Sequence, residues 1–297
     1  MGENTLRLEG AMVALVTPFV GGEIDWDALG RLVDMQIEGG IQALVPCGTT
    51  GESPTLSHHE HDKVIEFTIE RADGRLPVIA GTGSNSTAEA FRLTRHAKEA
   101  GADACLVVNP YYNKPTQRGM FEHVARLADA ELPIVLYNIP GRTGIELSPE
   151  TIVKMYEEID MVVAVKEATG KLDMASAVAS ACDIAILSGD DSLTLPIISV
   201  GGSGVISVLA NILPGEVRTL CDLALGGASA EAAQLHRRLF GLFKGMFVET
   251  NPIPIKAAMA MAGMIRNELR LPMSPLAECH RAALANLLRE FGLDVQE

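Results

Sequence analysis

The sequence predicts a (β/α)₈ barrel carrying a small C-terminal helical extension, and three observations lead there. Eight short apolar runs bounded by turn residues recur along the 297-residue chain. Amphipathic segments with helical spacing lie between them. No Gly-x-Gly-x-x-Gly follows the first run, which disfavours an open dinucleotide-binding sheet.

The runs are "MVALVTP" (12–18), "ALVPCG" (43–48), "PVIAGTG" (77–83), "ACLVVNP" (104–110), "PIVLYNIP" (133–140), "VVAVKEA" (162–168), "AILSGDD" (185–191) and "GVISVLAN" (204–211). They are continuously apolar rather than alternating, the pattern of strands buried on both faces of a parallel sheet. Successive runs start 19 to 34 residues apart, room for one helix each. "STAEAFRLTRHAKEAG" (86–101) illustrates such a helix, with apolar residues at helical spacing and a glycine stop. "GGASA" (226–230) marks the end of the barrel. The chain therefore divides into a catalytic barrel over 1–226 and a helical unit over 227–297, where three further helical segments contain no strand pattern.

Composition narrows the function. The net charge of −14 and the absence of a Lys/Arg cluster exclude a nucleic-acid partner. No apolar run approaches the ~18 residues of a membrane span. Met12–Val20 is short, contains Pro18 and lacks a basic flank, so it is not expected to be a signal peptide. Five scattered cysteines without a Cys-x-x-Cys suit a reducing cytoplasm and offer no thiolate zinc site.

Active sites of such barrels gather at the C-terminal ends of the strands. Lys166 ends the sixth run after three valines and an alanine. Either its stem covers apolar surface while its head reaches water, or it is a nucleophile held neutral. An ordinary lysine is protonated near neutrality, and bringing its pKa there corresponds to roughly 4 kcal/mol of desolvation. Position alone leaves these two readings balanced. Lys256 has an equally apolar context, but its flanks read as a helix outside the barrel.

Tyr137 ends the fifth run, as a core aromatic or as an acid/base beside the lysine. Arg142 is a surface charge or a fork for a carboxylate. "GTTGES" (48–53) reads as a turn or an anion-binding backbone nest, and its paired hydroxyls suit a carboxylate or a proton relay. Tyr111 and Tyr112 face opposite ways if their strand continues, so at most one enters the site. "HHEH" (58–61) sets His58 and His61 on one helix face. No matching ligand pair is visible elsewhere, so a capped polar helix start is expected rather than a metal site.

Taken in order, "GTTGES", "PVIAGTGSN", "PYYNKPTQ", "YNIPGRTG", "KEATG", "LSGDD", "GGSGVISVLAN", "NPIPIK" and "LRLPMSP" resemble the dihydrodipicolinate synthase / N-acetylneuraminate lyase family of pyruvate-dependent class I aldolases. The resemblance implies a Schiff base between Lys166 and pyruvate, with Tyr137 as general acid/base. Thr49 would link Tyr137 to Tyr112 of a neighbouring subunit. Thr50 and Ile206 would hold the pyruvate carboxylate beside Gly189, and Arg142 the carboxylate of L-aspartate 4-semialdehyde. Condensation of these two substrates commits carbon to diaminopimelate and lysine. No cofactor or metal is implied, because the iminium is itself the electron sink. The lyase branch usually lacks the counterparts of Arg142 and the Thr-Thr pair, so the synthase branch is favoured. A sugar-acid aldolase and a non-catalytic binder of pyruvate or lysine are the alternatives. The resemblance also implies a lysine pocket from Ser53, His58, His61, Asn85, Glu89 and Tyr111, beside Pro54, and a homo-oligomer, commonly a tetramer built from dimers.

Overall fold

The protein is described by a computed structural model over residues 8–295. Each apolar run marks one parallel strand, the first of which starts two residues ahead of its run: β1 (Gly10–Ala14), β2 (Ala43–Val45), β3 (Ile79–Gly81), β4 (Ala104–Val108), β5 (Ile134–Asn138), β6 (Val162–Glu167), β7 (Ala185–Ser188) and β8 (Gly204–Ser207). They are hydrogen-bonded in the order β2-β1-β8-β7-β6-β5-β4-β3. A parallel bridge between Leu44 and Val78 closes the ring. This is a (β/α)₈ barrel.

The strands bury both faces, as the continuous apolar runs require. One set, including Met12, Val45, Ile79, Leu106, Val135, Ala164 and Ile206, fills the barrel interior. The alternate set, including Val13, Leu44, Val107, Leu136, Val165 and Val205, packs outward in a second core shared with the helices. At about 25 cal/mol per Å² of apolar surface removed from water, these two layers are the main stabilising term. Gly81, at the end of β3, is dictated by close approach: a Cβ there would lie 2.2 Å from the Cys47 carbonyl oxygen.

The covering helices are α1 (Trp26–Glu38), α2 (His58–Ala72), α3 (Thr87–Ala100), α4 (Gln117–Ala128), the short α5 (Pro140–Thr143), α6 (Pro149–Glu158), α7 (Leu172–Ala179), α8 (Thr194–Ser199) and α9 (Pro214–Leu225). The 86–101 segment forms α3 with its glycine stop in use: Gly101 ends it at φ +96°, and Ser86 caps its start. A small hairpin, Phe19–Val20 with Glu23–Ile24, precedes α1.

Beyond Gly226–Gly227 come α10 (Ser229–Gly245), α11 (Ile253–Met261) and α12 (Glu278–Glu290). We propose that break as the division between 1–226 and 227–297, whose outer ends lie outside the described residues. α11 is buried at every position except Ala260, Lys256 included.

Candidate active site

β5 and β6 pair so that Tyr137 and Lys166 are direct neighbours in register. Both continue the inward-facing series of Val135 and Ala164. Each is only 5 % exposed. The Lys166 amine stands 4.3 Å from the centroid of the Tyr137 ring. Among the described residues no acceptor hydrogen-bonds it and no carboxylate forms an ion pair with it.

Burial is the main influence on Lys166 and lowers its pKa to about 8; the Asp191 carboxylate pulls the other way and the Arg142 charge adds to the lowering. At that value roughly a tenth of the amines are neutral at pH 7, against fewer than about one in a thousand for an ordinary lysine. Burial raises the Tyr137 phenol to about 12, opposed by the Arg142 charge and a hydrogen bond with the Thr49 side chain. Tyr137 therefore rests protonated, ready to give a proton.

β7 ends beside them. A Cβ on Gly189 would lie 2.6 Å from the Ala168 Cβ and 3.2 Å from Lys166 Cε, so a larger residue would push the lysine aside. Asp191 is 2 % exposed, and its Oδ2 accepts from the backbone N–H groups of Val208 (3.1 Å) and Leu209 (3.0 Å). Its Oδ1 is buried without a hydrogen-bond partner among the described residues. Ile206 lies in the barrel interior on β8, in register with Met12.

The loop after β2 carries Thr49 and the buried Thr50. Asn251 Nδ2 donates to Thr50 Oγ1 at 2.9 Å, and Arg142 Nη2 donates to the Asn251 carbonyl oxygen at 3.0 Å. One residue from beyond α10 thus joins the threonine loop to the arginine on α5.

Thr49, Tyr137 and Arg142 line a cavity of about 430 Å³ that continues to Ser53, His58, His61, Glu89 and Tyr111. Lys166, Thr50, Ile206 and Gly189 are not on its wall. Glu89 accepts from Ser84 and pairs with His58 at 2.8 Å; both contacts hold its carboxyl below the usual range. His61 is buried, which lowers its pKa to about 4 and keeps it neutral. Asn85 does not line the cavity, but its Nδ2 donates to the Tyr111 carbonyl oxygen at 3.1 Å. Ser57 caps α2 with Glu60 in a reciprocal capping box, so "HHEH" does begin a capped helix. Among the described residues no three His, Cys, Asp or Glu side chains are grouped to hold a metal ion.

The premise of a continuing strand at Tyr111–Tyr112 is corrected. β4 stops at Val108, and Tyr112 sits in a turn at φ +72° with 90 % of its surface exposed. It points away from this chain's cavity for that reason, not through strand alternation. Sequence reasoning also overlooked Asp191 and Asn251. Asp191 was visible in "SGDD", although nothing there says which carboxylate faces the lysine. Asn251 opens "NPIPIK", but nothing in that motif says that its side chain meets Thr50.

The chain matches the Dihydrodipicolinate synthetase family over residues 7–291. It is 52% identical over 288 residues to the 4-hydroxy-tetrahydrodipicolinate synthase of Citrifermentans bemidjiense, covering 96% of this chain and 99% of that one. Its fold matches the chloride-inhibited dihydrodipicolinate synthase of Acinetobacter baumannii, solved in complex with pyruvate. That match has a TM-score of 0.95 and 44% identity, covering 97% of this chain and 100% of that one. It also matches the DHDPS of Cyanidioschyzon merolae, solved with lysine bound, at a TM-score of 0.93 and 39% identity, covering 96% and 98% of the two chains. The chain belongs to the dihydrodipicolinate synthetase family.

Proposed function

We propose that this chain condenses pyruvate with L-aspartate 4-semialdehyde, the reaction of a 4-hydroxy-tetrahydrodipicolinate synthase. The observation that carries the reading is the buried, unpaired Lys166 amine against the Tyr137 ring. The neutral amine adds to the pyruvate ketone. Tyr137 gives the proton that lets water leave, producing an iminium on Lys166. Loss of a methyl proton turns the iminium into an enamine, which forms the carbon–carbon bond to the aldehyde. The substrate's amino group then attacks the imine carbon, closing the ring and freeing the lysine.

Thr50 and Ile206 hold the pyruvate carboxylate, with Gly189 leaving room, and Arg142 receives the semialdehyde carboxylate. Thr49 relays protons to Tyr112 of a second subunit. The 90 % exposure of Tyr112 supports that last role, since such a tyrosine is free to enter another chain's site. We assign the chain to a homo-oligomer, a tetramer built from two dimers, in the cytoplasm; its free cysteines suit that compartment. L-Lysine is the feedback inhibitor, its ammonium on Glu89 and its remaining polar groups on Ser53, His58, His61, Asn85 and Tyr111. Millimolar lysine should reduce turnover, and an unchanged rate removes that assignment. The substrate test is turnover of pyruvate with aspartate semialdehyde against cleavage of N-acetylneuraminate. Faster cleavage of the sugar acid would overturn the reading.

A further inference from the structure

Lys256 is wholly buried on α11, yet no step above uses it. Its Nζ donates to Glu52 Oε1 at 2.5 Å and to the Thr17 carbonyl oxygen at 2.9 Å. The other Glu52 oxygen, Oε2, accepts from the Arg270 backbone N–H at 3.1 Å. Glu52 is two residues beyond Thr50 and adopts φ +53°, a left-handed conformation unfavourable for a residue with a Cβ. It closes the threonine loop: its N–H donates to the Thr49 carbonyl oxygen at 3.1 Å. Thr17 adds a second hold, its hydroxyl donating to the Gly51 carbonyl oxygen at 2.7 Å. The lysine therefore grips the loop at Glu52 directly and at Gly51 through Thr17. Asn251, five residues before it, bonds Thr50 itself.

A buried ion pair is a poor source of stability, because desolvation offsets most of its attraction. It does fix direction. We propose that the Glu52–Lys256 pair positions the reaction's threonines, holding the left-handed bend that presents Thr49 and Thr50 to pyruvate. This rests on the function proposed above. Lys256 acts through Glu52 and touches no substrate, so it is a positioning residue.

The test compares Glu52→Gln, Lys256→Met and their double variant by thermal midpoint, kcat and KM for pyruvate. Each single variant strands one buried group and lowers the midpoint. The double removes both charges and regains most of that loss. If the pair positions the loop, the double keeps a KM for pyruvate raised about tenfold through Thr50 and a kcat lowered about tenfold through Thr49. A KM restored along with the midpoint overturns the proposal. Should the double variant fail to fold, Glu52→Asp decides. It keeps both charges and withdraws the carboxylate by one methylene, and an unchanged KM there overturns the proposal equally. Failure of the underlying reading shows separately, as a wild-type enzyme that borohydride and pyruvate leave unlabelled at Lys166.

Discussion

Two buried lysines sit in matching surroundings and do opposite things. Lys166 at the end of β6 and Lys256 on α11 are both almost sealed from water, and each amine stands 4.3 Å from an aromatic centroid, Tyr137 and Phe19 respectively. Burial lowers both pKa values. Lys256 has a carboxylate at 2.5 Å and a carbonyl oxygen at 2.9 Å, which favour its charged form and occupy its protons. Lys166 has neither. An amine that must attack a carbonyl needs a free lone pair, so the absence of a partner is the functional feature. Burial by itself does not mark a nucleophile; burial without a hydrogen-bonded counter-ion does.

The sharpest contrast is between the two methionine variants. Lys166→Met should abolish turnover while raising stability by up to about 3 kcal/mol at pH 7, because it removes a buried amine held below its ordinary pKa. The sign follows from linkage. Between about pH 8 and the ordinary value of 10.5 the unfolded chain binds the proton that the folded one has lost, so wild-type stability rises with pH across that window. Below it, the penalty is present in full. Lys256→Met should instead cost about 3–5 kcal/mol, since Glu52 is left buried without its ionic partner. Thermal unfolding of both variants checks the opposite signs, and shifts of the same sign break the comparison.

Tyr137→Phe should lower kcat by about 10²- to 10⁴-fold with little change in folding. Steady-state kinetics with a circular-dichroism melt separate the two effects. Arg142→Lys should raise KM for aspartate semialdehyde by about tenfold or more and leave KM for pyruvate within about twofold, because an ammonium cannot fork onto a carboxylate. The smallest effect belongs to Asp191→Asn. Asp191 favours the charged form of Lys166, so removing its charge should move the alkaline rise of kcat/KM for pyruvate to lower pH. A shift upward would mean that Asp191 does not act on the lysine.

The barrel was legible because parallel strands buried on both faces leave unbroken apolar runs, and each run marks one strand. Lys166 stood out for the same reason: a charge ending such a run is conspicuous. Three features could not be read. The Glu52–Lys256 pair joins residues 204 positions apart, and neither one's neighbours announce the other. Asn251 meets Thr50 only because the chain beyond α10 returns to the barrel mouth. Tyr112 turns outward through a positive φ that no adjacent glycine signals. Local periodicity encodes strands and helices, whereas the partner of a buried polar group is set by tertiary placement.

The point of pyruvate attachment distinguishes the two lysines most directly. Borohydride reduction of the enzyme with pyruvate, followed by peptide mass mapping across a pH series, should place one reduced adduct on the Lys166 peptide. Its rate should rise with an apparent pKa near 8, and the Lys256 peptide should stay unmodified. An adduct on Lys256, or none on Lys166 at any pH, would contradict the claim that the unpaired buried amine is the nucleophile.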